Sequence, residues 1–208
     1  MRRHRRHRWF PLAVVAVTMT CAAVTAAPGG ADRPSRDPGP WCGGPLWRVL
    51  TLSDADRGKV VLKPTDTSIA DLAALPRPAR IGPARTTDFE RRAWRLEVVI
   101  DRYRIGTDGE IALILYSIPS NLYMNAYLPN PKCLSGKTRD RGHMIAARNE
   151  LTQHCAPATS KWQLLGISAK VTGVGFWNPR LDTRGALPNG AELRPIVDFQ
   201  IVSGCGYP

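Results

Sequence analysis

Between Ala93 and Val202 the hydrophobic pattern changes period in a fixed order. Three stretches have a period of two, one has a helical period, and two more have a period of two. Ala93–Ile105 alternates, with Leu96, Val98 and Ile100 on one face and Glu97, Asp101 and Tyr103 on the other. Gly106-Thr-Asp-Gly109 is a hairpin turn signal, and Ile111–Tyr116 is the returning strand. Ile118–Asn121 turns the chain again. Leu122–Leu128 is a third strand, with Leu122, Met124, Ala126 and Leu128 on one side, and Pro129 and Pro131 end it. Arg139–His154 places Met144, Ala147 and Leu151 on one helix face. Ile167–Trp177 and Glu192–Val202 are the last strands, joined by a Gly/Pro/Asn-rich connection. Thr172-Gly-Val-Gly175 suits a strand that bends sharply.

This order predicts a mainly β fold: an OB-like five-stranded β-barrel with one inserted α-helix, over residues 93–205. A closed barrel buries the alternating faces and leaves no exposed sheet edge. An immunoglobulin-like sandwich has no place for a helix in mid-domain. Residues 41–92 form an N-terminal extension packed on the barrel, with a strand at Lys59–Leu62 and a short helix at Ser68–Leu75. Ser68 is positioned to cap that helix, and Pro76 and Pro78 stop it. Arg77–Arg85 is a Pro/Gly-interrupted connection.

The first 27 residues have the order of a secretory signal: a basic start, RRHRRHR, an apolar run from Trp9 to Val17, and a small-residue region to Ala27. Residues 28–40, PGGADRPSRDPGP, read as a flexible linker. The apolar run is too short for a comfortable membrane span, and no other segment reaches its length, so the mature chain is expected outside the cytoplasm with no span. Five of the 29 lysines and arginines and none of the 17 acids lie in the signal, which leaves the mature part with a net charge of +7. That bias suits an anionic partner without requiring one. Four cysteines remain, Cys42, Cys133, Cys155 and Cys205, and an even number in an exported domain predicts two disulfides with three possible pairings. Cys133–Cys155 with Cys42–Cys205 is preferred, the first closing a loop around one helix and the second tying the chain ends. No Cys-x-x-Cys spacing supports a metal site.

Several of these segments carry a family resemblance. Cys42-Gly43, Trp47, Val49–Asp54, Lys59–Pro64 and Leu72–Pro78, followed by Val171–Trp177 and Leu181–Ile196, are similar to recurring segments of a family of exported bacterial proteins of unknown function. That family ends in a "VTGVGFFD…HGQxGxAPNGIELHPV"-like text. The resemblance spans about residues 42–202 and implies architecture and export but no activity. Where the family pattern carries two histidines, this chain has Leu181 and Arg194.

Asp140-Arg141-Gly142-His143 resembles the signature of the ββα-metal DNA/RNA non-specific endonucleases. That resemblance would make His143 the general base, Asn149 or Asn178 a ligand of a divalent metal such as magnesium, and Arg141 or Arg139 a phosphate contact. The class expects Pro after the motif and an Asn-x-x-Pro-Gln-type segment downstream, whereas here Met144-Ile-Ala-Ala147 and Asn149-Glu-Leu-Thr-Gln153 follow. His143 also falls inside the predicted helix. The preferred reading is a helix N-terminus at which Asp140 meets the positive end of the dipole. Binding has better support. Tyr116, Tyr123 and Tyr127 on the second and third strands project outward beside Arg102 and Arg104, the pairing of aromatic faces and cations by which such barrels hold single-stranded nucleic acid. The sequence therefore predicts an exported, disulfide-bonded binding or interaction module that needs no cofactor. Its expected partner is an anionic polymer or another extracellular protein. The metal-dependent nuclease is the alternative.

Overall fold

A computed structural model describes residues 42–44 and 46–206. The expected signal (1–27) and linker (28–40) lie outside the described residues. The strands are β1 Val61–Asp66, β2 Arg92–Ile105, β3 Ile111–Ser117, β4 Leu122–Leu128, β5 Gln163–Trp177 and β6 Ala191–Ser203. The five read between 93 and 202 are all present, whereas the strand expected at Lys59–Leu62 starts two residues later, after a 3₁₀ turn at Arg57–Lys59, and runs on to Asp66. Three α-helices accompany the strands among the described residues, α1 Trp47–Leu50, α2 Ile69–Ala73 and α3 Arg141–His154, besides short 3₁₀ turns. The short helix α1 has no counterpart in the sequence reading. Ser68 caps α2 as expected, in a reciprocal capping box with Asp71.

The strands form one six-stranded mixed sheet in the order β1-β2-β3-β4-β6-β5. β5 also pairs with β2, so the hydrogen-bonded pairings run in a ring through β2, β3, β4, β6 and β5. β4 and β6 run parallel, as do β1 and β2, and the remaining pairs are antiparallel. The main core lies on one face of this ring and includes Leu96, Ile100, Leu113, Met124, Val171 and Leu193. β5 bends at its glycines, where its register against β6 shifts twice. A side chain on Gly175 would run into the backbone of Phe89, which packs directly against that bend.

One register detail corrects the alternation read from β2. The ladder to β3 shifts between Ile100 and Arg102, so Asp101 is an inserted residue. Beyond it the faces exchange. Tyr103 is buried with Ile100, its hydroxyl donating to the Ala156 carbonyl at 2.9 Å, while Arg102 and Arg104 move to the outer face.

Residues 46–92 are integral to the molecule. Leu52 and Val60 share a second buried cluster with Leu134, Met144, Val174 and Val197. Arg139 Nη1 donates to the carbonyls of Arg57 and Val60 at 2.7 Å each. Arg85 is fully buried and donates to the Val49, Glu90 and Asp54 oxygens.

The disulfides correct the preferred pairing. Cys42 joins Cys133, with Cα atoms 5.4 Å apart, and Cys155 joins Cys205 at 4.9 Å. Cys155 caps the far end of α3, a helix of 14 residues and so about 21 Å long. The segment between Cys133 and that helix does not run back along it. It crosses to residues 46–92, where the Arg139 amide donates to the Leu52 carbonyl at 2.9 Å.

Candidate ligand-binding face

The outer face of β2, β3 and β4 collects every aromatic and cationic residue that the sequence assigns to binding. Antiparallel register sets Val99, Tyr116 and Tyr123 in one row. Arg102, Ile114 and Asn125 form the next row, and Arg104, Ala112 and Tyr127 the third. β6 extends two of these rows. Ala126 pairs with Leu193, which places Glu192 beside Asn125 and Arg194 beside Tyr127. The five predicted residues therefore share one face.

The segment between β5 and β6 folds over the middle of this face. Gly185, at φ +79°, lies against Asn125 and Ile114 so closely that any side chain there would strike them. Thr183 Oγ1 accepts from Asn125 Nδ2 at 3.3 Å. The far end of the segment is anchored. Arg77 Nη1 donates to the Asn189 carbonyl at 2.7 Å, and Asn189 Nδ2 donates to the carbonyls of Leu72, Ala73 and Leu75. This flap divides the face into two clefts.

The first cleft, about 510 Å³, is lined by Arg102, Tyr123 and Arg184. Tyr123 is 43% exposed, and its ring centroid lies 4.8 Å from that of Tyr116. Tyr116 donates to Asn121 Oδ1 at 3.0 Å, which holds the pair at the end of the hairpin. Arg102 pairs with Asp101 at 3.2 Å.

The second cleft, about 620 Å³, is lined by Arg104, Tyr127, Arg180 and Arg194, with Asp108 and Glu110 of the β2–β3 hairpin beside them. Its floor is a charge network that the sequence reading missed. Arg194 donates to both oxygens of the buried Glu110, through Nη2 to Oε2 and through Nε to Oε1 at 3.4 Å. Its guanidinium lies 4.3 Å above the Tyr127 ring. Burial pushes the Glu110 carboxyl up to about 7, against the pull of Arg194. Glu192, also buried, is pushed up to about 7 by burial, against Arg194 and the Asn178 amide that donates to its Oε2 at 3.0 Å. Its Oε1 has no partner among the described residues, and neither does the neighbouring Asn125 Oδ1. Burial raises the Tyr127 phenol as well. The signal for this floor was Glu192 and Arg194, two charges spaced for one face at the start of β6, and Glu110 directly after a turn.

The nuclease alternative is distributed differently. His143 is exposed in the first turn of α3, where Nδ1 pairs with Asp140 Oδ1, and that bond raises its pKa. Asp140 adopts the left-handed conformation and makes no capping bond, so it serves the histidine rather than the helix amides. Arg141 and Asn149 are exposed on the same helix, and Asn149 sits about 9 Å beyond His143 along its axis. Asn178 belongs to the second cleft. Arg139 is held on residues 57–60. Among the described residues, no three of His, Cys, Asp and Glu gather as a metal site. No family model and no curated protein matches the chain. No helix of the described residues is long and apolar enough to cross a membrane.

Proposed function

We propose that this protein is an OB-like binding module that works outside the cytoplasm and holds an anionic polymer on the outer face of β3 and β4. The ring order β2-β3-β4-β6-β5, the parallel β4–β6 pairing and a helix between β4 and β5 support the OB-like reading. In that architecture the second and third barrel strands and two flanking loops form the ligand face. Here these correspond to β3 and β4, the 106–110 hairpin and the 178–190 flap. Export is supported by the two disulfides, the signal-like start and the resemblance to exported bacterial proteins.

The observation that carries the reading is the convergence of Tyr116, Tyr123, Tyr127, Arg102 and Arg104 on that one face. Binding is favoured over hydrolysis through the Asp140–His143 segment because His143 lines neither cleft. Retention of the mature chain on immobilised acidic polysaccharide and on single-stranded oligonucleotide, across a salt gradient, tests the proposal. Tyr123→Ala and Arg102→Ala should each lower the eluting salt on the polymer that binds. Unchanged elution of both variants on both matrices would remove the face from the function.

A further inference from the structure

Resting on that reading, we propose that the second cleft is a subsite for one acidic sugar unit of the polymer, whose carboxylate or phosphate group is received by Arg194. The placement of this arginine is the argument. Glu110 accepts from Nε and Nη2, and the Tyr127 ring supports the guanidinium from below, so the fork is fixed before any ligand arrives. Nη1 has no partner among the described residues, and Arg194 lines the cleft. An ion pair that served only to join the hairpin to β6 would not need to present a free edge to an open cavity.

The rim points the same way. Arg104 lies 4.7 Å over the Trp162 ring, and neither it nor Arg180 has a carboxylate partner among the described residues. Arg194 is already balanced by Glu110 and by Glu192 buried behind it, so the positive charge open to a ligand is that of Arg104 and Arg180, which face Asp108 across a partly enclosed space. Leu46, Leu50 and Phe176 supply an apolar wall for the body of the unit, and about 620 Å³ is ample for a sugar ring. A nucleotide fits less well. The Tyr127 face is occupied by Arg194 and Phe176 is buried, so this cleft offers no open ring on which a base can stack.

Titration of the isotope-labelled mature protein with glucuronic acid, glucose 6-phosphate, glucose and a short oligothymidylate, followed by NMR, tests this. The two acidic sugars should shift the Arg194 Nε–H signal and the amides of residues 104–110 and 178–183 saturably, with glucose inert. Arg104→Ala and Arg180→Ala should each weaken that binding about ten-fold, the loss of one charge-assisted contact. Lys63→Ala, exposed on β1, should leave it unchanged. Arg194→Lys should keep the charge opposite Glu110 but lose the fork and the affinity; the two rim variants decide the matter if that protein does not fold. The proposal is overturned if glucose matches the acidic sugars, if the oligonucleotide gives the stronger response in this cleft, or if neither rim variant has an effect. Polymer retention that depends on Tyr123 while this cleft stays silent would sink the subsite and keep the binding face. Acidic sugars bound here without polymer retention would do the reverse.

Discussion

At the scale of single residues, the most consequential group is Glu192. Its Oε1 and the neighbouring Asn125 Oδ1 are buried acceptors that share no donor with any described residue. One proton on Glu192 gives that pair a donor, and burial favours the protonated form up to about 7. Arg194 and Asn178 oppose this, while Glu110 adds to it. The folded state therefore binds this proton more tightly than the unfolded chain, whose carboxyl titrates near 4.5. Stability attributable to the group is full below that pH and falls as pH rises through about 7. Glu192→Gln places a permanent N–H where the proton would sit. We expect the variant to match the parent near pH 5 and to exceed it at pH 8 by roughly 1–3 kcal/mol, with a shallower pH slope that Glu110 maintains in part. Urea unfolding at the two pH values measures this. A variant less stable than the parent at pH 8 would show that the glutamate is needed in its charged form.

At the scale of elements, residues 46–92 act through Arg85. Its Nη2 reaches the Val49 carbonyl at 2.6 Å and Asp54 Oδ2 at 3.1 Å, and its Nη1 reaches the Glu90 carbonyl at 3.0 Å. One side chain thus ties α1, the turn after it and the entry to β2. Arg85→Met would leave the Asp54 carboxylate, only 4% exposed, without its cation. The expected cost is about 3–5 kcal/mol. A drop in the urea midpoint confined to a few tenths molar would argue that the extension merely rests on the sheet. This anchor was not legible in the sequence, where Arg85 ends a Pro/Gly-rich connection with no periodicity to mark burial. The strands were legible because alternation and turn residues are local signals. Leu122–Leu128 matches β4 at both ends. Tyr103 was misplaced because a single inserted residue reverses the faces and leaves no mark in composition. Alternation on β3 and β4 also found Tyr116, Tyr123 and Tyr127, whereas Arg102 and Arg104 reach that face only through the inserted Asp101. Glu110, Glu192 and Arg194 come together only through the β4–β6 pairing and the hairpin, contacts between distant parts of the chain.

At the scale of the whole molecule, the two disulfides do different work, and spacing alone could not have assigned them. They close loops of 91 and 50 residues, so chain entropy gives them similar weight, about 4–5 kcal/mol each. Their mechanical roles differ. Cys155–Cys205 joins the end of α3 to the segment after β6, holding the helix on the strand it packs against. Cys42–Cys133 fixes the start of the described chain to the 3₁₀ turn that follows β4. Four residues beyond Cys42 come Leu46 and then Leu50, the apolar wall of the arginine-lined cleft. Replacing either pair with serines should therefore lower stability by roughly 2–5 kcal/mol. Only Cys42→Ser with Cys133→Ser should also weaken the response to acidic sugars, because only that bridge secures the wall. Urea unfolding and the same NMR titration on both double variants separate the two effects. Equal loss of sugar response in both would mean that the cleft depends on global stability rather than on the bridge beside it. An unchanged response in both would mean that packing of α1 against Phe176 holds the wall unaided.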